Sequence, residues 1–143
     1  MTAQTQGVIA HLSIDGATEA IEFYKDALGA TEVMRIPAED GKRLLHAELM
    51  VNGSRLFIAD DFVEYRDQCG GGKMLPPRVA GSTGVSLHLS VADCDAAVKR
   101  ATDAGATLLT APFDAFWGDR YGLVLDPFGH AWSFAHPLPP KQS

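Results

Sequence analysis

His11 and His88 open two stretches that read almost alike, "HLSIDGATEAIEFYKDALGAT" and "HLSVADCDAAVKRATDAGAT". Each imidazole shares an alternating segment with serines, Ser13 in the first and Ser86 and Ser90 in the second. A third histidine, His46, shares one face of "LLHAELMV" with Glu48. An imidazole and a carboxylate in one cleft could pass a proton as general acid and base. Two imidazoles with a carboxylate, His11, His88 and Glu48, could hold a divalent cation. The plainer alternative is a polar pocket whose histidines hydrogen-bond a ligand, water or neighbours. Further on, "DAFWGDRYGLVLDPFGHAWSFAH" adds Trp117, an indole that could stack on a planar ligand. It also adds Arg120, a guanidinium that could clamp a carboxylate or phosphate. Arg120 could equally pair with Asp119 or another turn carboxylate, and Trp117 could merely anchor a loop.

These residues sit in a chain that repeats itself. The openings match at an offset of 77 (88 − 11), the following Gly-Ala-Thr at 76 (105 − 29). "GSRLFIAD" lies over "GHAWSFAH", again at 76 (129 − 53). So long a period points to a duplicated half-domain rather than a solenoid. Each half reads as strand, helix and three strands. Period-2 alternation marks Val8–Ile14 and Val85–Val91 as strands with two different faces. In the first helix Ala20, Ile21, Tyr24, Ala27 and Leu28 share a face, and Gly29 ends it. In the second Asp93 is the N-cap, Ala97, Val98 and Ala101 line a face, and Gly105 ends it. "TEVMRIP", "TLLTAPF", "LLHAELMV", "RLFIAD", "YGLVLD" and "HAWSFAH" supply the remaining strands, with Asn52-Gly53 a hairpin signal. Asp126-Pro127-Phe128-Gly129 is a turn by its chemistry: an Asp acceptor, a Pro with fixed φ, and a Gly free to take positive φ. Trp132 and Phe134 point at the helix, while Ala131, Ser133 and Ala135 leave room on the cleft side. The expectation is an α+β fold in a single domain, with module one over 7–63, a linker over 64–84 and module two over 85–137. The Gly- and Pro-rich linker has no periodicity, and loops of that length often serve as lids or partner contacts.

With 143 residues, 46% hydrophobic and 21% charged, the chain has the make-up of one globular domain. A net charge of −6 argues against a nucleic-acid partner and mildly favours a neutral or cationic small ligand. No apolar run is long enough to cross a bilayer, and "MTAQTQGVIAHLSID" is unlike a signal peptide. Cys69 and Cys94 have no metal-ligand spacing and read as two free thiols in a reducing compartment. The expected setting is therefore the cytoplasm, away from membranes.

Two tandem βαβββ modules, "AIEFYKDALGA" in the first helix, an "HAEL" strand and the ending "GDRYGLVLDPFGHAWSFA" resemble the vicinal-oxygen-chelate superfamily. That group contains glyoxalase I, bleomycin-resistance proteins and extradiol dioxygenases, and the likeness is strongest to its PhnB-like branch. The resemblance covers roughly Gly7 to His136 and implies sheets curling around a cleft, in a homodimer. Metal-dependent members take His or Glu ligands from the first and last strand of each module. Carried over strand by strand, those positions fall on Ile9, Phe57, Ser86 and Ser133. Ile and Phe cannot ligate, and Ser is a poor ligand for Zn²⁺, Ni²⁺ or Fe²⁺. No metal ligand is assigned and no cofactor is expected, and a divalent metal fits only at a non-standard site. The residues expected to line a pocket are His11, Ser13, His46, Glu48, Phe57, Ser86, His88, Trp117, Arg120 and Ser133.

Three functions remain open on the sequence. One is a metal-independent protein that binds a small molecule in the cleft, as bleomycin-resistance proteins sequester a drug. Another is a lyase, isomerase or dioxygenase using a relocated metal site or a His/Glu pair. The third is a structural or partner-binding module without a small ligand.

Overall fold

A helix start leaves backbone N–H groups without partners, and both long helices of this chain meet that need from the end of a strand. The computed structural model describes residues 7–68 and 72–140. Its first module runs β1 (Ala10–Ile14), α1 (Ala17–Leu28), β2 (Thr31–Pro37), β3 (Leu44–Val51) and β4 (Ser54–Asp60). Asp60, at the end of β4, accepts from the backbone N–H of Gly16 and Ala17 at the start of α1, at 3.1 and 2.9 Å. After a short 3-10 turn (Val63–Tyr65), one helical turn follows, α2 (Pro77–Ala80). The second module repeats the order as β5 (Ser86–Ser90), α3 (Cys94–Ala104), β6 (Thr107–Asp114), β7 (Asp119–Leu125) and β8 (Ala131–Pro137). His136 is the repeat equivalent of Asp60 (136 − 60 = 76), and its Nδ1 accepts from the Cys94 N–H at 2.8 Å. Asp93 caps the same helix through Ala96 N.

The two sheets have matching order, β1-β4-β3-β2 and β5-β8-β7-β6, with a parallel pair at one side of each and antiparallel pairs elsewhere. This is the α+β, two-module architecture expected from the repeat. Asn52 (φ 51°) and Gly53 (φ 79°) make the β3–β4 turn, both in the left-handed conformation that a tight hairpin of matching twist demands. Each sheet covers one face with helix. Helix α3 packs across β6, β7 and β8, and α1 packs on β3 and β4 and against α3. Leu12, Ile14, Ile21, Leu49, Ile58, Val98, Val124, Trp132 and Phe134 belong to one buried cluster that runs through both modules.

The linker holds more structure than its lack of periodicity implied. Arg78 of α2 donates to Asp15 O in module one at 2.5 Å and to Pro127 O in module two at 3.1 Å. Gly129 makes room for α2, since a Cβ there would sit 2.9 Å from Arg78 N, at φ 89°. Cys94 is buried, free, and donates to Phe134 O, and burial pushes its thiol pKa up. Cys69 lies outside the described residues.

Asp126 does far more than form a turn. It is 3% exposed. Its Oδ1 accepts from Phe128 N and His130 N, each at 2.9 Å. Its Oδ2 accepts from Tyr24 Oη at 2.6 Å and Trp132 Nε1 at 2.9 Å. Burial and the adjacent Asp126 charge raise the Tyr24 phenol well above its ordinary pKa, so it stays a donor. Tyr24→Phe removes the side-chain bond from α1 to Asp126 and should destabilise the fold by about 1.5–3 kcal/mol. Asp126→Ala, which strands four donors, should cost more than Tyr24→Phe. Urea unfolding of the two variants against the parent chain measures both.

Candidate functional site

Opposite the helices, each sheet turns a face of polar and aromatic side chains outward. In the first sheet the ladder sets Met34, Glu48, Phe57 and His11 in one row. His46 joins them: its ring centroid lies 5.5 Å from that of His11 and 4.8 Å from that of Phe57, and His11 lies 5.9 Å from Phe57. Arg55 forms an ion pair with Glu48 and places its guanidinium 5.0 Å over the Phe57 ring. Glu48 is thereby committed to a cation on its own face rather than to an imidazole. Partial burial, with His46 adding to it, lowers the His11 pKa below its ordinary 6.5.

In the second sheet the corresponding row is Thr110, Leu123, Ser133 and His88. His88 Nδ1 lies 2.8 Å from Ser133 Oγ, and the His88 ring stacks on Tyr121 at 6.3 Å with 11° between planes. Tyr121 in turn touches Phe113 and Trp117 edge-on, at 6.0 and 5.7 Å. Trp117 Nε1 donates to Asp119 and its ring meets Phe116, which is 98% exposed. Ser133 is 2% exposed and Ala131 and Ala135 are buried, so the small residues of β8 are covered rather than open.

The structure thus gathers the expected residues into two groups. His11, His46, Glu48 and Phe57 lie together in one sheet, with Ser13 at the strand end, where its carbonyl accepts from His130 Nε2 at 3.0 Å. His88, Ser133 and Trp117 lie in the other, and Ser86 is exposed at its edge. Among the described residues no three His, Cys, Asp or Glu side chains come together as metal ligands, so His11, His88 and Glu48 do not form one set.

Arg120 is on the other side. It pairs with Asp95 of α3 at 3.1 Å and with Asp114 at 2.9 Å, on the face it shares with Gly122 and Val124. Its placement on the cleft face fails for a countable reason. Ladder partners equate Glu48 with Leu123, an offset of 75 (123 − 48), but Phe57 with Ser133, an offset of 76 (133 − 57). Asp126 and His130 still pair through their backbones, so three residues, Pro127 to Gly129, close this turn against the two of Asn52-Gly53, and a 76-residue shift applied before it lands on the wrong face. Tyr121, one position along, is the side chain that looks outward, and strict alternation from Val124 identifies it.

A cavity of about 1060 Å³ opens beside His11 and Ser13. Beyond β1, which also lends Leu12, the lining is Ala38–Asp40, Arg43, Leu45, Ala59–Phe62, Glu64–Arg66 and Met74. None of these was singled out by spacing, because they come from strand ends and loops. Arg43 bridges Asp40 (2.7 Å) and Glu64 (2.6 Å) and lies 4.5 Å over Phe62. Backbone N–H groups of Arg43 and Lys42, with the Arg43 side chain, hold the Asp40 pKa at about 2. Arg66 pairs with Asp61. Glu39, Asp40, Asp60, Asp61 and Glu64 set five carboxylates against the two guanidinium groups of Arg43 and Arg66, an excess of three negative charges.

Paired βαβββ modules of this kind have known counterparts. The model of the Glyoxalase/Bleomycin resistance protein/Dioxygenase superfamily matches residues 8–134. The chain belongs to this superfamily. An uncharacterised protein of Mycobacterium bovis is 48% identical over 128 residues, covering 90% of this chain and 81% of the relative. The crystal structure of TioX from Micromonospora sp. ML1 is 27% identical, with a TM-score of 0.71, covering 94% of this chain and all of that one (100%). A PhnB protein from Bacillus cereus, 16% identical with a TM-score of 0.67, covers 92% of this chain and 99% of its own, and shares the fold. The positions at which metal-dependent superfamily members carry ligands do not fit a metal here. Phe57 is packed between His11, His46 and Arg55, the Ser133 hydroxyl is engaged by His88, and Ile9 and Ser86 offer no strong donor.

The His11 environment carries a pH consequence. Folding favours its neutral form, so its contribution to stability is present above the unfolded value of 6.5 and is lost as pH falls through the lower folded value. His46→Gln removes the second imidazole's charge and should raise the His11 pKa toward 6.5, read from a histidine NMR titration. An unmoved His11 titration would show that His46 plays no part.

Proposed function

We propose that this superfamily member binds a small cationic or amphipathic molecule in the cavity beside His11, without the divalent metal of its metal-dependent relatives. The observation that carries the reading is the cavity wall, where the carboxylates outnumber the guanidinium groups and Phe62, Tyr65 and Met74 add apolar surface. Such a lining favours a positive group near the carboxylates and an apolar or planar portion against the aromatics. The donor-poor side chains at Ile9, Phe57, Ser86 and Ser133 support a metal-free site. The Arg55 pair on Glu48 weighs against a His/Glu acid–base enzyme, because the carboxylate already answers a cation.

A homodimer is part of the proposal. Val33, Met34 and Ile36 on edge strand β2, with Leu108, Leu109 and Phe113 on edge strand β6, leave large apolar side chains exposed in the single chain. Surfaces of that kind are commonly covered by a partner. The free thiol of Cys94 supports a reducing, cytoplasmic setting. No described helix is long and apolar enough to cross a membrane.

Calorimetry with bleomycin, a cationic probe, and with small oxo-acids tests the ligand class. The cation should bind and the acids should not, and added salt should weaken the cation. Glu39→Gln, at the cavity edge, should cost about 0.2–1 kcal/mol of that affinity. Elemental analysis should find no stoichiometric Ni, Zn, Fe or Mn. A flat response to the cation, or a stoichiometric metal, would overturn the reading.

A further inference from the structure

His88 and Ser133 face one another directly in the β5–β8 ladder, so two hydrogen-bonded backbones fix the contact between their side chains. That contact, Nδ1 to Oγ at 2.8 Å, needs one hydrogen, and two arrangements supply it. If the imidazole donated from Nδ1, the Ser133 hydroxyl hydrogen would lie buried with no acceptor among the described residues. A buried polar hydrogen left without a partner is the costly case. If the hydroxyl donates to Nδ1, the buried hydrogen is used and the ring proton of the neutral imidazole must sit on Nε2, on the exposed side. Stacking on Tyr121, with 11° between planes, holds the ring against rotation.

Nε2 lies across the ring from Nδ1, His88 is exposed, and no described residue pairs with that nitrogen. Beside it Tyr121, Trp117 and Phe113 form a run of aromatic rings. We infer that module two carries a ligand-recognition site of its own, in which His88 presents a fixed Nε2–H donor to an acceptor oxygen on a planar group lying along Tyr121 and Trp117. The class of ligand is an aromatic amide or ketone. Ser133 is a positioning residue, since it touches no ligand and sets which nitrogen of His88 carries the proton. The site extends the reading of the chain as a small-molecule binder and rests on it, but it lies in the other module from the carboxylate-rich cavity.

Long-range ¹⁵N–¹H NMR of the ligand-free chain at about pH 8, where an ordinary imidazole is neutral, reads the tautomer directly. The expected result is the Nε2–H form at His88 in the parent chain, and a mixture of both forms in Ser133→Ala. Benzamide, which carries a ring and an acceptor oxygen, should move the His88 Nε2 signal, whereas benzylamine, which lacks the oxygen, should not. His88→Ala should weaken benzamide roughly fivefold, the effect of losing one neutral hydrogen bond. His88→Gln, which keeps a donor near the Nε2 position, should restore most of that loss. An Nδ1–H tautomer in the parent chain, or a benzamide titration that leaves His88 unmoved, overturns the inference. Because the tautomer is read without ligand and the titration follows His88, both outcomes are separable from failure of the cation to bind beside His11.

Discussion

The buried carboxylate of Asp126 is the constraint around which the two halves of this protein are built. Removing a carboxylate from water is costly unless donors replace the water. Here four donors do so, two from the turn that follows Asp126, one from Trp132 of β8 and one from Tyr24 of α1. Only the last comes from the first module. It therefore fixes α1 against the β7–β8 hairpin, and with it the orientation of β1 and His11 relative to the second sheet. The rings of Tyr24, Trp132, Phe128 and Phe23 close around the same point. A hydrophobic core alone permits many packings of similar energy; a carboxylate that must find four directed partners permits far fewer.

Much of the architecture could be read from the chain. The repeat, the period-2 strands, Asp93, Gly29 and the Asn52-Gly53 turn are local signals, and each was realised where it stands. What failed was long-range. The Asp-Pro-Phe-Gly turn was recognised, but nothing near it in sequence announces Tyr24, 102 residues away, as a partner. Arg120 falls on the helix-covered face rather than in the pocket, because one inserted turn residue shifts the equivalence from 76 to 75 and the repeat alone does not show which strand absorbs the shift. The cavity residues come from loop and strand-end positions, where no periodicity operates. Of the cavity wall, spacing in the sequence marks only the β1 residues, among them His11 and Ser13.

Duplication gave two copies of one scaffold, and the outward faces have diverged on it. The first gathers imidazoles, an Arg–Glu pair and a carboxylate-lined cavity; the second gathers an imidazole and a bank of aromatic rings. Even the helix starts differ, since Asp60 serves one and His136 the equivalent position of the other. The helix-covered faces, by contrast, merge into one core. Shared packing thus lies on one side of each sheet and unlike chemistry on the other.

Arg78 gives the connecting segment a mechanical role. Its guanidinium ties the Asp15 carbonyl to the Pro127 carbonyl, while Gly129 lets the short helix settle against the turn without a side chain between them. The Tyr24–Asp126, His130–Ser13 and Arg100–Asp26 bonds cross the same seam between the modules. A joint pinned at several points resists swinging. Relative motion of the modules is thereby restrained, and the cavity wall at Ala38–Asp40 and Phe62–Arg66 lies outside the strands and long helices that carry the seam.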